Sequence, residues 1–181
     1  MPSIGDLMFA FAQWLRTTPL PEFALWVSAT PLSAAVDSSW WIAEVVQTLH
    51  ILTLAAVFGS VLMVNLRIAQ LAGCGRSLEQ TLARYAPWIW WGLLVLLATG
   101  FILIVGEPAR ELLNPCFWIK MVLVVFAALV ALWFQGSVRR RAEQWELTPH
   151  ATVAIRAGAA AVIVLWCVIM VLGRWIAYAP T

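Results

Sequence analysis

Four stretches of the chain stay apolar long enough to cross a membrane, and polar or proline-bearing segments separate them. They cover residues 42–64, 88–105, 117–134 and 153–176. The first, Ile42 to Val64, has 23 residues. As a helix it spans roughly 35 Å, more than the ~30 Å hydrocarbon core of a bilayer. Pro87 stands at the start of the second stretch, where its missing N–H does no harm. Glu107-Pro108 ends that stretch, Asn114-Pro115 introduces the third and Arg139-Arg140-Arg141 closes it. Between Arg67 and Ala86 the Gly73-Cys74-Gly75 break and a Leu78, Leu82, Tyr85 edge predict a short connecting helix on the membrane surface.

Residues 1–39 follow a different pattern. They lack a basic start and a small-residue cleavage site, so they do not read as a signal peptide. Ser3 and Asp6 have the spacing of an N-terminal cap, and Ile4, Leu7, Met8, Phe11, Trp14 and Leu15 then share one helical face. Thr18-Pro19 stops that helix. Twelve residues later the pattern returns: Phe11-Ala12-Gln13-Trp14 with Thr18-Pro19-Leu20 is matched by Phe23-Ala24-Leu25-Trp26 with Thr30-Pro31-Leu32. The segment reads as two successive interfacial turns, and Thr30-Pro31 also fits the cap of a helix leading towards the first span. The expected architecture is all-α: an integral membrane four-helix bundle over 40–181, with an N-terminal interfacial helical segment over 1–39. Gly92, Ala98 and Gly100, and the pairs Ala154/Gly158 and Ala157/Ala161, offer small faces for tight packing inside it.

Composition agrees. Hydrophobic residues make up 63% of the chain and charged ones 11%, against about 25% charged in soluble proteins. A net charge of +2 with dispersed arginines excludes a nucleic-acid surface. Seven of the 12 tryptophans, Trp40, Trp41, Trp88, Trp90, Trp91, Trp118 and Trp175, fall near span ends, where an indole keeps its ring in lipid and its N–H wet. Cys74, Cys116 and Cys167 are too scattered to suggest a disulfide or zinc site. Arg67, Arg76, Arg84, Arg139, Arg140, Arg141 and Arg156 lie on one side of the spans; Arg16, Arg110, Arg174 and Lys120 lie towards the other. The positive-inside rule then predicts both termini outside and the arginine-rich loops in the cytoplasm.

Glu44, Gln47 and His50 form a polar series in the first half of the first span. Their spacing of three spreads them over about 120° of the helix surface. An ionisable group in lipid costs roughly 2.5–3.5 kcal/mol or more, so Glu44 and His50 must face protein, water or a ligand. One reading makes His50 an axial haem ligand or a quinone hydrogen-bond donor, with Glu44 exchanging protons. The other has His50 and Gln47 bonding a neighbouring helix while Glu44 reaches the interface. A bis-histidine haem is disfavoured, because His150, the other histidine, falls in the loop on the opposite side. Haem would be five-coordinate, take Met63, Met121 or Met170, or sit at a subunit interface. Lys120 heads an outer polar cluster with Asn114, Glu107, Glu111 and Arg110; it either pairs with Glu44 or snorkels to the interface. Glu44, Gln47, His50 and Lys120 are thus the candidate cofactor-binding residues, with His50 the candidate metal ligand. No hydrolase triad, phosphate loop or metal-ligand cluster is visible in the sequence.

Trp26 to Leu32, His50, Leu66-Arg67, Pro87-Trp88, Thr99-Gly100, Asn114-Pro115 with Phe117 and Lys120, and Gly173-Arg174 with Ile176-Ala177-Tyr178 resemble an uncharacterised bacterial family of small multi-pass membrane proteins. The likeness covers roughly residues 26–178 and carries no assigned activity. In that family's pattern an acidic residue precedes the histidine by three and another precedes Leu-Arg; this chain has Gln47 and Asn65 there. A looser similarity, through His50 and Lys120, is to membrane proteins of the copper-resistance D type and to the membrane protoporphyrinogen oxidase, and implies haem or metal binding. The leading expectation is a membrane subunit or anchor, in contact with lipid and with a protein partner or a second copy, presenting an outer polar pocket around His50. The alternatives are a redox protein holding haem b or quinone there, and a small-solute transporter.

Overall fold

The computed structural model describes residues 3–73, 75–140 and 153–176, and among them it is helical with no strand. The helices are α1 (Ile4–Thr17), α2 (Leu20–Ser28), α3 (Pro31–Asp37), α4 (Trp40–Ile68), α5 (Leu78–Gly106), α6 (Pro108–Leu112), α7 (Pro115–Arg140) and α8 (Val153–Trp175). Four of them, over Trp41–Ile68, Leu78–Gly106, Pro115–Val138 and Val153–Trp175, are long and apolar enough to cross a bilayer. The chain is a multi-pass membrane protein. His150, Cys74, Arg141 and the Ala177-Tyr178 pair lie outside the described residues.

The N-terminal repeat has a physical counterpart. Phe11 stacks on Trp14 and Phe23 on Trp26, each with ring centroids 5.8 Å apart. Both threonines donate their hydroxyl to the carbonyl three residues back, Thr18 to Leu15 and Thr30 to Val27. Both then accept from a backbone N–H just ahead, of Leu20 at 3.4 Å and of Ser33 at 3.3 Å. Each Thr-Pro therefore closes one helix and opens the next. The Ser3–Asp6 capping box forms as its spacing predicts, with Asp6 accepting from the Ser3 N–H at 2.8 Å.

The helices divide between two compact units. One comprises 1–51, 97–122 and 170–181; the other 52–96 and 123–169. In the second, Val57 and Val61 of α4, Ile89 of α5, Ala127 of α7 and Trp166 and Ile169 of α8 form a buried core to which all four spans contribute. Gly92 lets α5 approach α4: a Cβ there would overlap the Val57 methyl. Trp90 donates its indole N–H to Gln135 at 3.2 Å.

Two expectations change. Residues 78–86 are not a separate surface helix, because α5 runs unbroken from Leu78 through Pro87. Its start is set by Ser77 and Gln80, which exchange backbone-to-side-chain hydrogen bonds as a capping box. An internal proline removes one ladder bond, which a packed membrane helix tolerates. The small faces of α8 also point outward. Ala154, Ala157, Gly158 and Ala161 are exposed, and no side chain comes within 4 Å of a Cβ placed on Gly158. Trp166 and Ile169 decide the rotation of α8, since large side chains gain most from burial.

Candidate functional site

Within the first unit, the polar residues of the first span part company. Glu44 and Gln47 are exposed, whereas His50 turns inward and is half-buried. Its Nδ1 lies 2.7 Å from the hydroxyl oxygen of Thr99, which is buried on α5. The neighbouring Gly100 keeps the helix surface bare beside the ring: a Cβ there would sit 3.6 Å from His50 Cε1. With Nδ1 engaged, Nε2 is the ring nitrogen left for a ligand. If Nδ1 carries the proton, Nε2 offers a lone pair; in the other tautomer Nε2 offers an N–H.

Lys120 of α7 bears on the same histidine through its charge. Its ammonium stands over the Phe117 ring, 5.2 Å from the centroid. The stem passes Gly173 of α8, where a Cβ would lie 3.7 Å from Lys120 Cδ. Each of the four spans therefore supplies part of this site: His50 from α4, Thr99 and Gly100 from α5, Phe117 and Lys120 from α7, and Gly173 from α8.

The turn before α7 fixes where Lys120 emerges. Asn114 is buried; its Oδ1 accepts from the Cys116 N–H at 2.9 Å, and its Nδ2 donates to the Ile176 carbonyl at 3.4 Å. The first bond caps α7 and the second ties its start to the end of α8. Trp118 donates its indole N–H to the Leu112 carbonyl at 2.9 Å, closing α6 against α7. Ala24 of α2, Leu112 of α6, Cys116, Phe117 and Ile176 pack into one apolar cluster, with Met121 against it.

The acid whose charge acts on Lys120 is Glu111 on α6, while Glu44 stays exposed. Arg110 bridges two carboxylates, with Nη1 at 2.5 Å from Glu107 and Nη2 at 3.9 Å from Glu111. The Glu111 side chain is only 14% exposed. Burial pushes its carboxyl above the ordinary carboxylate range; the positive charges of Lys120 and Arg110 pull back, and Glu107 adds a smaller push upward. Beside this group a cleft of about 480 Å³ opens, lined by Ser28, Ser33, Asp37, Glu107 and Arg110 among others.

Sequence reasoning singled out His50 and Lys120 and treated Glu111 only as a member of a polar cluster. It missed Thr99 as the partner of His50. A threonine buried in an apolar span was the available signal, since its hydroxyl must find a partner. Among the described residues no three His, Cys, Asp or Glu side chains converge as a metal-ion site. A family model described as a family of unknown function, DUF6644, matches residues 37–179. No curated protein and no solved structure matches the chain.

Proposed function

Because the chain belongs to DUF6644, a family of unknown function, we propose its role from its own geometry: it is a membrane subunit that holds haem b through His50. The observation that carries this is the 2.7 Å contact between His50 Nδ1 and the Thr99 hydroxyl. Haem-ligating histidines are oriented by a hydrogen bond at the ring nitrogen that does not touch the metal, which fixes the ring and sharpens its basicity. Here Thr99 gives that orientation, Nε2 is the ligating atom, and Lys120 supplies positive charge for a propionate carboxylate. Bound haem would supply one-electron chemistry. Gln47 and Glu44, on the exposed side of α4, face a partner subunit or the headgroup region rather than the haem. The arginine asymmetry supports an orientation with the His50 end of the spans, and both termini, on the outer side of a bacterial inner membrane.

The same contact permits a second reading. In the tautomer with the proton on Nε2, His50 donates to the carbonyl of a quinone, with the Lys120 ammonium nearby.

The visible spectrum of the detergent-purified protein, expressed with haem supplied and recorded before and after dithionite, separates the readings. Haem binding at His50 gives an intense Soret band that shifts on reduction and disappears in His50→Ala, while the variant keeps its helical circular dichroism. A featureless spectrum from folded protein, or undiminished haem in His50→Ala, overturns it. Featureless protein that co-purifies with quinone in a His50-dependent way supports the second reading.

A further inference from the structure

Glu111 sits on a five-residue helix between two spans, with its side chain mostly covered. A carboxylate so placed is usually locked in the charged state by a close ion pair. This one is not. The short contact of Arg110 goes to Glu107, and its 3.9 Å approach to Glu111 is too long for a hydrogen bond. Lys120 rests its ammonium over Phe117, within electrostatic range of both Glu111 and His50. Glu107, bonded to the same arginine, lines the open cleft. Water therefore reaches the group next to Glu111, while the charge of Lys120 acts on both Glu111 and His50.

We propose that Glu111 is a proton-exchanging carboxyl group through which the His50 site takes up and releases a proton at this end of the protein, with Lys120 as the positioning charge that connects the two. The step is one protonation: the Glu111 carboxylate takes a proton from water to become a neutral acid and returns it, with no other bond changed. Negative charge gained around His50 weakens the hold of Lys120 on the ionised carboxylate and favours uptake. The charged groups facing Glu111 are Lys120 from α7 and, from its own helix region, Arg110 and Glu107. Burial raises the group above the ordinary carboxylate range, which puts its titration nearer to neutral pH. The connection to His50 rests on the site proposed above; the titration of Glu111 does not.

The test uses the full chain in phosphatidylcholine nanodiscs, without added ligand, followed by infrared spectroscopy of the carboxylic acid C=O band against pH. A protonated-carboxyl band that persists above the ordinary carboxylate range and vanishes in Glu111→Gln is expected. Lys120→Met removes the charge that favours ionisation and moves the midpoint up by about one pH unit. Glu107→Gln moves it down. Glu111 titrating with ordinary carboxylates, or a midpoint indifferent to Lys120→Met, overturns the proposal whatever His50 binds. Where the Soret band is present, the pH dependence of its midpoint potential flattens in Glu111→Gln; an unchanged slope overturns the link to His50.

Discussion

A single side-chain contact, His50 with Thr99, carries the proposed site, and the two partners carry unequal risk. Thr99 is buried on α5 and cannot be replaced by water without opening the helix contact. Thr99→Val keeps the shape and removes the hydroxyl, leaving a ring nitrogen without its partner at a cost of about 1–3 kcal/mol. A lowered thermal midpoint in detergent is expected for Thr99→Val, with most of the loss recovered in Thr99→Ser. Equal midpoints for Val and Ser would show that the hydroxyl does not hold the ring. Glu111 gives the pH counterpart. Its folded-state carboxyl lies above the unfolded value, so the folded protein binds that proton more tightly. The stabilising contribution is full below the ordinary carboxylate range and is lost as pH rises through the raised value. Glu111→Gln removes that slope from the plot of unfolding midpoint against pH.

Helices in this chain are set by their ends and by one close approach. Ser3 with Asp6, Thr18-Pro19, Thr30-Pro31, Ser77 with Gln80 and Asn114-Pro115 each start or stop a helix through a side-chain bond to orphaned backbone groups. Pro87 does not stop one, because a packed membrane helix tolerates the one ladder bond that an internal proline removes. Between α4 and α5 the contact depends on Gly92 having no side chain opposite Val57. Gly92→Ala overpacks that contact and is expected to cost about 1–3 kcal/mol. Val57→Ala in the same chain should return part of it. Unfolding midpoints of the two single variants and the double variant measure the coupling, and additive losses would place the strain elsewhere.

For the whole molecule, four apolar spans point to the bilayer as its environment, and the proposed direction rests on the arginines. Gly75 and Arg140 stand at span ends that the arginine bias assigns to the cytoplasm. With Cys74, Cys116 and Cys167 replaced by serine, a cysteine at position 75 or 140 should react with a membrane-impermeant maleimide only after the cells are opened. Labelling of intact cells at either position would reverse the orientation, and with it the side on which Glu111 exchanges protons.

Much of this was legible from residue types alone. Hydropathy over 42–64, 88–105, 117–134 and 153–176 located the spans, because a bilayer demands uninterrupted apolar length. Ser3, Thr18-Pro19 and Asn114-Pro115 located helix ends, because capping is local chemistry between residues a few positions apart. His50 and Lys120 stood out because charge in lipid needs a reason. What the tertiary structure alone decided was rotation and pairing. A span that is apolar all round gives no period from which to tell its inner face, so Trp166 turned inward and Ala154 and Gly158 outward only when the core filled. The choice of Thr99 as partner of His50, 49 residues away, and of Glu111 rather than Glu44 as the acid near Lys120, follows from those rotations. Spacing along a helix determines which residues share a face, and packing between helices determines what that face meets.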